Sequence, residues 1–405
     1  MGLRRSTRFR LLMHILDSCS MKRQMKIAVD GREITRNQPG GFRSYTESVV
    51  ESVHRYAQDF DLIVYTDREI PADLVQQEDR RIFRSCPPKQ MVIREQFSLP
   101  RRLSRDRIDL CHFPANTAPL KCPIPYVLTL HDTFCMERKI TDIARKGNIH
   151  NKGLSLYAKL VPYIAVRRAR IVLTVSDYSK KQIIKLTGLS EERIAVVPPA
   201  LHSRYRRVDA DHLRKHITSI LEVGRLALII GSAEPRKNIK RMLNAFRRLA
   251  LQNEDLGLVL IWRSRSGLES WLRTSNVLLP EKTYIVTDPG NSDLVELYSA
   301  VNVLMFVSEL EGFGLPVIEA MACGCPVVTS KTSSLPDTAG GAALLADPYD
   351  ENDIARQVEM ALFDKATADR MISAGYERAS IFNQASIGRS LADIYTMAVG
   401  KQHGS

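Results

Sequence analysis

Two loops hold residue types suited to a ligand that is both anionic and rich in hydroxyls. The first is Gly231-Ser232-Ala233-Glu234-Pro235-Arg236-Lys237-Asn238, which leaves an aliphatic run and opens a helix with apolar positions Ile239, Met242, Leu243, Phe246 and Leu249. Asn238 is suited to cap that helix, with backbone N–H groups pointing out of its start. Two cations beside such donors make an anion site matched to phosphate. On their own, Arg236 and Lys237 read more readily as a solvated basic patch. The second loop runs from Ser308 through Glu311-Gly312-Phe313-Gly314-Leu315-Pro316 to Glu319 and Gly324. Pro316 suits the first helical position and Gly324 the residue just past the end, which limits the helix to about 12 Å. Glu311 then precedes the helix and Glu319 sits in its first turn, while Gly312 and Gly314 permit close backbone approach to a ligand. Two carboxylates so placed can accept from sugar hydroxyls while N–H groups hold a diphosphate. Singly, each has an ordinary explanation: Glu319 against the helix dipole, Glu311 in water. The pair with its glycines is harder to explain that way. His131, followed by Asp132 at the end of the run Tyr126–Leu130, is a third candidate; a strand-end histidine is often only structural, and the adjacent carboxylate favours function.

The elements around these loops alternate between short β-branched runs and amphipathic helices. Lys26–Asp30 reads as a strand, followed by a loop through Gly40-Gly41 and a helix from about Tyr45 to Tyr56. Strand candidates recur at Leu62–Tyr65, Ile108–Phe113, Tyr126–Leu130, Ile171–Val175 and Ile194–Val197, with helical periodicity around Ser155–Arg168 and Tyr178–Leu186. After a polar, basic stretch with weak periodicity, alternation restarts at Leu226–Ile230, Leu256–Trp262, Tyr284–Val286, Val301–Val307 and Pro326–Thr329. This is an α/β pattern of two doubly wound parallel sheets. The expected organisation is a basic extension (1–24), a first Rossmann-like domain (25–200), a linker (201–223), a second Rossmann-like domain (224–385), and a terminal helix and tail (386–405) free to pack back on the first domain. Ligands of such sheets bind outside the carboxyl ends of the strands, so the interdomain cleft is the expected site.

A chain of 405 residues exceeds one hydrophobic core. Its 44% hydrophobic and 25% charged residues exclude a mostly disordered chain. No uncharged apolar run approaches the roughly 18 residues that span a bilayer. Seven scattered cysteines, none in C-x-x-C spacing, suit a reducing compartment, so a cytoplasmic location is expected. The net charge of +13 points to a polyanionic partner such as nucleic acid, anionic lipid or a phosphorylated substrate. Arg4, Arg5, Arg8 and Arg10 on one side and Lys22, Arg23 and Lys26 on the other flank Leu11–Leu16, which reads either as a basic amphipathic arm or as an upstream extension preceding Met21 and Met25.

The segment E-G-F-G-L-P-V-I-E, from Glu311 to Glu319, resembles the E-x7-E signature of the retaining glycosyltransferases of family 4, also called group 1. Thr129-Leu130-His131-Asp132, Val175-Ser176-Asp177-Tyr178-Ser179, the Gly231–Asn238 element and Ser334-Leu335-Pro336-Asp337 resemble further motifs of its mannosyltransferase-like members, in the same order. The resemblance covers nearly the whole chain after Met25. It implies the GT-B fold, with Glu319 on the ribose hydroxyls and Glu311 on the donor sugar. Amides of Phe313, Gly314 and Leu315 would support sugar and diphosphate, Arg236 and Lys237 would hold the diphosphate, His131 would lie near the transferred sugar, and Gly40-Gly41 would face the phosphates. Ser232, where some relatives carry arginine, and Asp337, where glutamate is usual, depart from the pattern. No D-x-D element stands in a metal-binding context, so no metal or other cofactor is expected.

The leading expectation is a transferase moving mannose from GDP-mannose to a saccharide or lipid-linked acceptor in surface polysaccharide synthesis. UDP-glucose, UDP-N-acetylglucosamine or dTDP-rhamnose also suit the same loops, as does a GT-B nucleotide-sugar epimerase. A basic nucleic-acid-binding protein fits the charge but lacks any recognition signature, so no nucleic-acid partner is expected. The basic stretches Arg101–Arg107, Arg167–Arg170 and Arg204–Arg207, with Arg4–Arg10, suggest peripheral contact with the anionic inner membrane face.

Overall fold

The computed structural model describes residues 24–35, 40–68, 82–137 and 149–400. The basic arm Arg4–Arg10 and the tail 401–405 lie outside the described residues.

The aliphatic runs build two open sheets. β1 (Met25–Asp30), β2 (Phe60–Thr66), β3 (Ile82–Ser85), β4 (Leu110–Phe113), β5 (Tyr126–Thr129), β6 (Ile171–Thr174) and β7 (Ile194–Val196) form the first, in the order β3-β2-β1-β4-β5-β6-β7. β8 (Arg225–Ile230), β9 (Leu256–Trp262), β10 (Thr283–Thr287), β11 (Val303–Phe306), β12 (Val327–Ser330) and β13 (Leu344–Ala346) form the second, in the order β10-β9-β8-β11-β12-β13. Every pairing is parallel. β4, β5, β6, β11 and β12 are buried along their whole length, as parallel strands covered on both faces must be.

Helices of eight or more residues are numbered α1 (Gly41–Tyr56), α2 (Ile149–Arg168), α3 (Asp177–Thr187), α4 (Asp211–Leu221), α5 (Ile239–Gln252), α6 (Arg265–Ser275), α7 (Asn291–Ala300), α8 (Leu315–Ala322), α9 (Glu351–Phe363), α10 (Lys365–Ser380) and α11 (Gln384–Gly400). The winding reverses between β1 and β4 and again between β8 and β11. Loops leaving the strands at these two switch points carry the candidate residues.

The stretch read as a linker with weak periodicity contains α4. Leu213, Ile217 and Leu221 recur every four residues and pack on the core of the second sheet. The intervening charged residues Arg214, Lys215 and His216 obscure that spacing in the sequence.

The chain crosses between the sheets twice. Leu201 N–H donates to Phe382 O at 2.7 Å, which ties the two crossings together. Beyond the second crossing, Ile387, Leu391, Ile394, Tyr395 and Ala398 share a core with β1 and α1 of the first sheet. A Cβ at Gly388 would lie 2.4 Å from the Ser52 carbonyl, so α11 and α1 meet backbone to backbone only with glycine there.

Candidate active site

The Gly231–Asn238 loop begins where β8 ends. Pro235–Lys237 form a single 3-10 turn, and Asn238 follows it with φ 59°, in the left-handed region that asparagine tolerates. Its side chain does not cap α5. Instead Asn238 Nδ2 donates to Val307 O at 2.9 Å and Pro348 O at 2.7 Å, while Oδ1 accepts from Arg241. The capping expectation is therefore corrected. The asparagine stitches the cationic loop to the end of β11.

That stitch brings the two candidate loops together. Lys237 Nζ lies 2.6 Å from Glu311 Oε1, and Arg236 Nη1 lies 3.1 Å from Glu311 Oε2. Arg236 also pairs with Glu234 at 2.7 Å and stacks over the Phe134 ring, 5.0 Å from its centroid. Glu311 is buried, and the site is a compensated ion cluster rather than a bare cationic patch. The two cations are preset at the switch point of the second sheet.

Carbonyls of the 311–313 turn are held from below. Ser334 Oγ donates to Glu311 O and Phe313 O, and Thr338 Oγ1 donates to Phe313 O at 2.6 Å. No described residue accepts a hydrogen bond from the Phe313 or Gly314 amide, so both N–H groups remain available to a ligand. Gly314 adopts φ 102°, where a side chain would be strained and a Cβ would lie 2.6 Å from Leu335. Leu315 is the first residue of α8, with Pro316 second, and Glu319 stands in the second turn rather than the first.

Gly312 serves the other domain. A Cβ there would lie 2.6 Å from the His131 carbonyl oxygen, and Ser176 Oγ and Ser179 Oγ both donate to Gly312 O, at 2.6 and 3.2 Å. The close approach foreseen for a ligand is, at Gly312, an approach of the facing sheet. Serines of the Val175–Ser179 motif thus clasp the glycine of the Glu311–Glu319 motif.

His131 follows β5. Its N–H donates to Asn116 Oδ1 at 2.8 Å, and Nε2 lies 2.7 Å from Pro114 O. A carbonyl can only accept, so Nε2 carries the proton. Burial pushes the ring pKa down to about 4, against the Pro114 hydrogen bond, so the imidazole is neutral with Nδ1 as an acceptor. Phe42 and Tyr45 of α1 pack edge-on to it at 4.8 and 4.6 Å. Gly40, in extended conformation, provides no side-chain cap to α1, and Gly41 is its first residue. The uncapped start of α1 therefore lies beside His131. Burial pushes Asp132 up to about 6, Glu311 and Glu234 pushing the same way while the Phe134 amide and Arg236 oppose.

Glu319 lies apart from this cluster. Tyr298 OH donates to its Oε2 at 3.1 Å, and Tyr205, from the first crossing, also bonds to it. Burial pushes its pKa up to about 7, partly offset by those two hydrogen bonds and by Arg204. It opens onto a groove lined also by Ser44, Glu47, Arg204, Asn291 and Leu315. Tyr205, Tyr298, Asn116 and Phe134 were not singled out from the sequence. Each is isolated in its own segment and carries no motif.

Two family profiles match the chain: Glycosyltransferase Family 4 over residues 39–203 and Glycosyl transferases group 1 over residues 214–378. The chain belongs to the group 1, family 4 glycosyltransferases. O-antigen chain mannosyltransferase B of Escherichia coli is 33% identical over 248 residues, 58% of this glycosyltransferase and 62% of that protein. Serotype-specific mannosyltransferase WbdA of Escherichia coli is 28% identical over 237 residues, covering 56% of this chain and 29% of that one. The chain thus spans less than two thirds of the length of either relative. Among solved structures, sucrose-phosphate synthase of Thermosynechococcus elongatus superposes with TM-score 0.71 at 18% identity, over 93% of this chain and 100% of that one. HepE of Anabaena in complex with UDP and glucose gives 0.69 at 16%, over 92% and 99%. At these identities the likeness is one of fold: GT-B, two Rossmann-like sheets across a cleft.

Proposed function

We propose that this glycosyltransferase is a retaining mannosyltransferase, taking its sugar from GDP-mannose and passing it to a saccharide or lipid-linked acceptor of a surface polysaccharide, on the cytoplasmic face of the membrane. The observation that carries the reading is the convergence of the Arg236–Lys237–Glu311 cluster on the neutral His131, with Glu319 in the adjoining groove. Relatives named as O-antigen and serotype-specific mannosyltransferases support the sugar and the product class.

In this reading the donor's diphosphate takes over Arg236 and Lys237 from Glu311, and the released carboxylate accepts from a hydroxyl of the sugar. His131 Nδ1 accepts from a second sugar hydroxyl, and Glu319 holds the ribose. The amides of Phe313 and Gly314 and the uncapped start of α1 at Gly40-Gly41 face the phosphates. Negative charge grows on the departing diphosphate as the anomeric bond breaks, so fixed cations and N–H donors aimed there stabilise the transition state most. Glu311 and Glu319 are divided between sugar and ribose, so neither serves as a nucleophile. The leaving phosphate takes the acceptor's proton on the same face, which retains the anomeric configuration. Protein cations fill the neutralising role, and activity in excess chelator is expected.

A donor screen tests this. GDP-mannose, UDP-glucose, UDP-N-acetylglucosamine and dTDP-rhamnose are each offered with a lipid-diphosphate sugar acceptor, and products are read by mass and anomeric coupling. Mannose added with retained configuration is expected. Free epimerised nucleotide-sugar without acceptor would make the protein an epimerase instead.

A further inference from the structure

We propose that the outer face of α2, together with the adjoining Met91–Arg105 segment, is a docking surface for an anionic lipid bilayer. The lipid-linked acceptor of the proposed function gives this surface its purpose, but docking itself needs neither donor nor acceptor.

α2 is apolar on both sides. Val161, Ala165 and Val166 are buried against the first sheet, whereas Leu156, Leu160 and Ile164, spaced four apart, are 41%, 48% and 42% exposed. The neighbouring segment runs through Met91–Ile93, a π-helical turn at Arg94–Ser98, and Leu99–Arg105. It adds Ile93 and Phe97, 50% and 55% exposed and also four apart. The two elements are bonded side by side, since Tyr157 OH donates to Glu95 Oε1 and Gln96 Nε2 donates to Tyr157 OH. An outward row of large aliphatic and aromatic side chains on a water-facing helix implies that something apolar covers it.

The charge of the same surface selects what covers it. Residues 149–168 contain Lys152, Lys159, Arg167 and Arg168 and no Asp or Glu. In Met91–Arg105 the acid Glu95 is fully buried and paired with Arg32, leaving Arg101 and Arg105 as the exposed charges. Arg167 and Arg168 lie at the end of the Leu156–Ile164 row, and both are exposed. Among the described residues, α2 and Met91–Arg105 carry cations and no exposed acid, and a face of that charge repels a second copy of itself. A nucleic acid would use the cations and leave the apolar row in water. An anionic bilayer uses both, with the row entering the boundary of the acyl region and the cations meeting headgroups.

The surface also adjoins the cleft. Lys159 Nζ donates to Met136 O at 2.8 Å, within the Phe134–Glu137 turn that places Phe134 under Arg236. Glu95 accepts from Thr117 Oγ1 at 2.7 Å, one residue beyond the Asn116 that holds His131. A sugar carried on a docked lipid would thus enter beside the candidate reaction centre. Arg204–Arg207, grouped with the other basic stretches on charge alone, lie elsewhere: Arg204 lines the Glu319 groove and Arg207 approaches Gly324.

The test is co-sedimentation of the full chain with phosphatidylglycerol–phosphatidylcholine vesicles and with phosphatidylcholine alone, at low and moderate salt. Binding only to the anionic vesicles, weakened by salt, is expected. Leu160→Ser combined with Ile164→Ser should weaken it roughly tenfold or more, from the apolar area withdrawn from lipid. Arg101→Gln combined with Arg105→Gln should weaken it by a similar factor at low salt, roughly fivefold per charge. Arg4–Arg10 would also favour anionic vesicles, so the serine variant assigns the surface. Leu160→Trp gives a second readout in an otherwise native chain, with a blue-shifted emission component on anionic vesicles, quenched by brominated lipid. No anionic binding, serine-variant binding equal to the parent, or a tryptophan signal indifferent to vesicles would each overturn the proposal. Because no nucleotide-sugar is present, these failures leave the transferase reading intact, and failure of the donor screen leaves the docking result intact.

Discussion

Replacing Glu319 by glutamine is expected to stabilise the unliganded protein while weakening its grip on a nucleotide. The carboxyl lies buried against Tyr205 and Tyr298, and burial raises its pKa from 4.5 to about 7 despite those hydrogen bonds and Arg204. A difference of about 2.5 in pKa corresponds to roughly 3 kcal/mol of destabilisation once the group is ionised in the fold. Below about pH 4.5 the carboxyl is protonated in both folded and unfolded chains, and the penalty is absent. Between about pH 4.5 and about pH 7 the folded chain keeps a proton that the unfolded chain has released, so stability falls as pH rises. Above about pH 7 the penalty is fully present. Glutamine keeps the volume and an acceptor oxygen for the phenols but never ionises. Urea denaturation of parent and variant at about pH 5 and about pH 8 should show the variant's advantage growing by roughly 3 kcal/mol towards high pH. Charges elsewhere cancel in that comparison. An advantage that does not change with pH would refute the argument that burial keeps this carboxyl protonated. Calorimetry with the bare nucleoside diphosphate supplies the other half, and the variant should bind more weakly.

Three further substitutions probe the cluster around Glu311. Lys237→Ala removes the 2.6 Å partner of Glu311, and turnover should fall by about 10²–10³ as the leaving diphosphate loses one fixed cation; normal turnover in the folded variant would return Lys237 to a surface role. Glu311→Gln takes the carboxylate partner from Lys237 and leaves Arg236 with Glu234 alone, so affinity for bare nucleoside diphosphate should hold or rise while affinity for the intact donor falls. Calorimetry with both ligands, run beside Glu319→Gln, checks the division, and identical responses of the two variants would contradict it. Gly312→Ala places a methyl 2.6 Å from the His131 carbonyl, which should force the facing loops apart. Turnover should drop with nucleotide affinity kept, and a larger radius by small-angle scattering would accompany it.

Much of this architecture is written in consecutive residues. Aliphatic runs such as Leu256–Trp262 specify buried parallel strands, and the alternation with amphipathic helices specifies two doubly wound sheets. The eight-residue separation of Glu311 and Glu319, with Gly312, Gly314 and Pro316 between them, marks a loop that opens a short helix. Local spacing also delivers His131 to a strand end and Arg236 and Lys237 to a loop ahead of α5. The failures were local too: Asn238 has a capping residue's identity but a left-handed backbone, because its amide is claimed by Val307 and Pro348. The amphipathic period of α4 was diluted by charge.

Which of these groups meet was decided only when elements distant in the chain took their places. Glu311 finds Lys237 across 74 residues because β8 and β11 are neighbours. Glu319 is raised towards neutrality by burial, against hydrogen bonds from two tyrosines that no motif connects to it. Gly312 proves to be a contact between sheets, and α11 returns to α1 through the bare backbone of Gly388. Periodicity is set by adjacent residues and the geometry of one helix or strand. Ion pairing, burial and the acidity that follows from burial depend on which elements the sheet order brings within a few ångströms, and that information belongs to the folded chain as a whole.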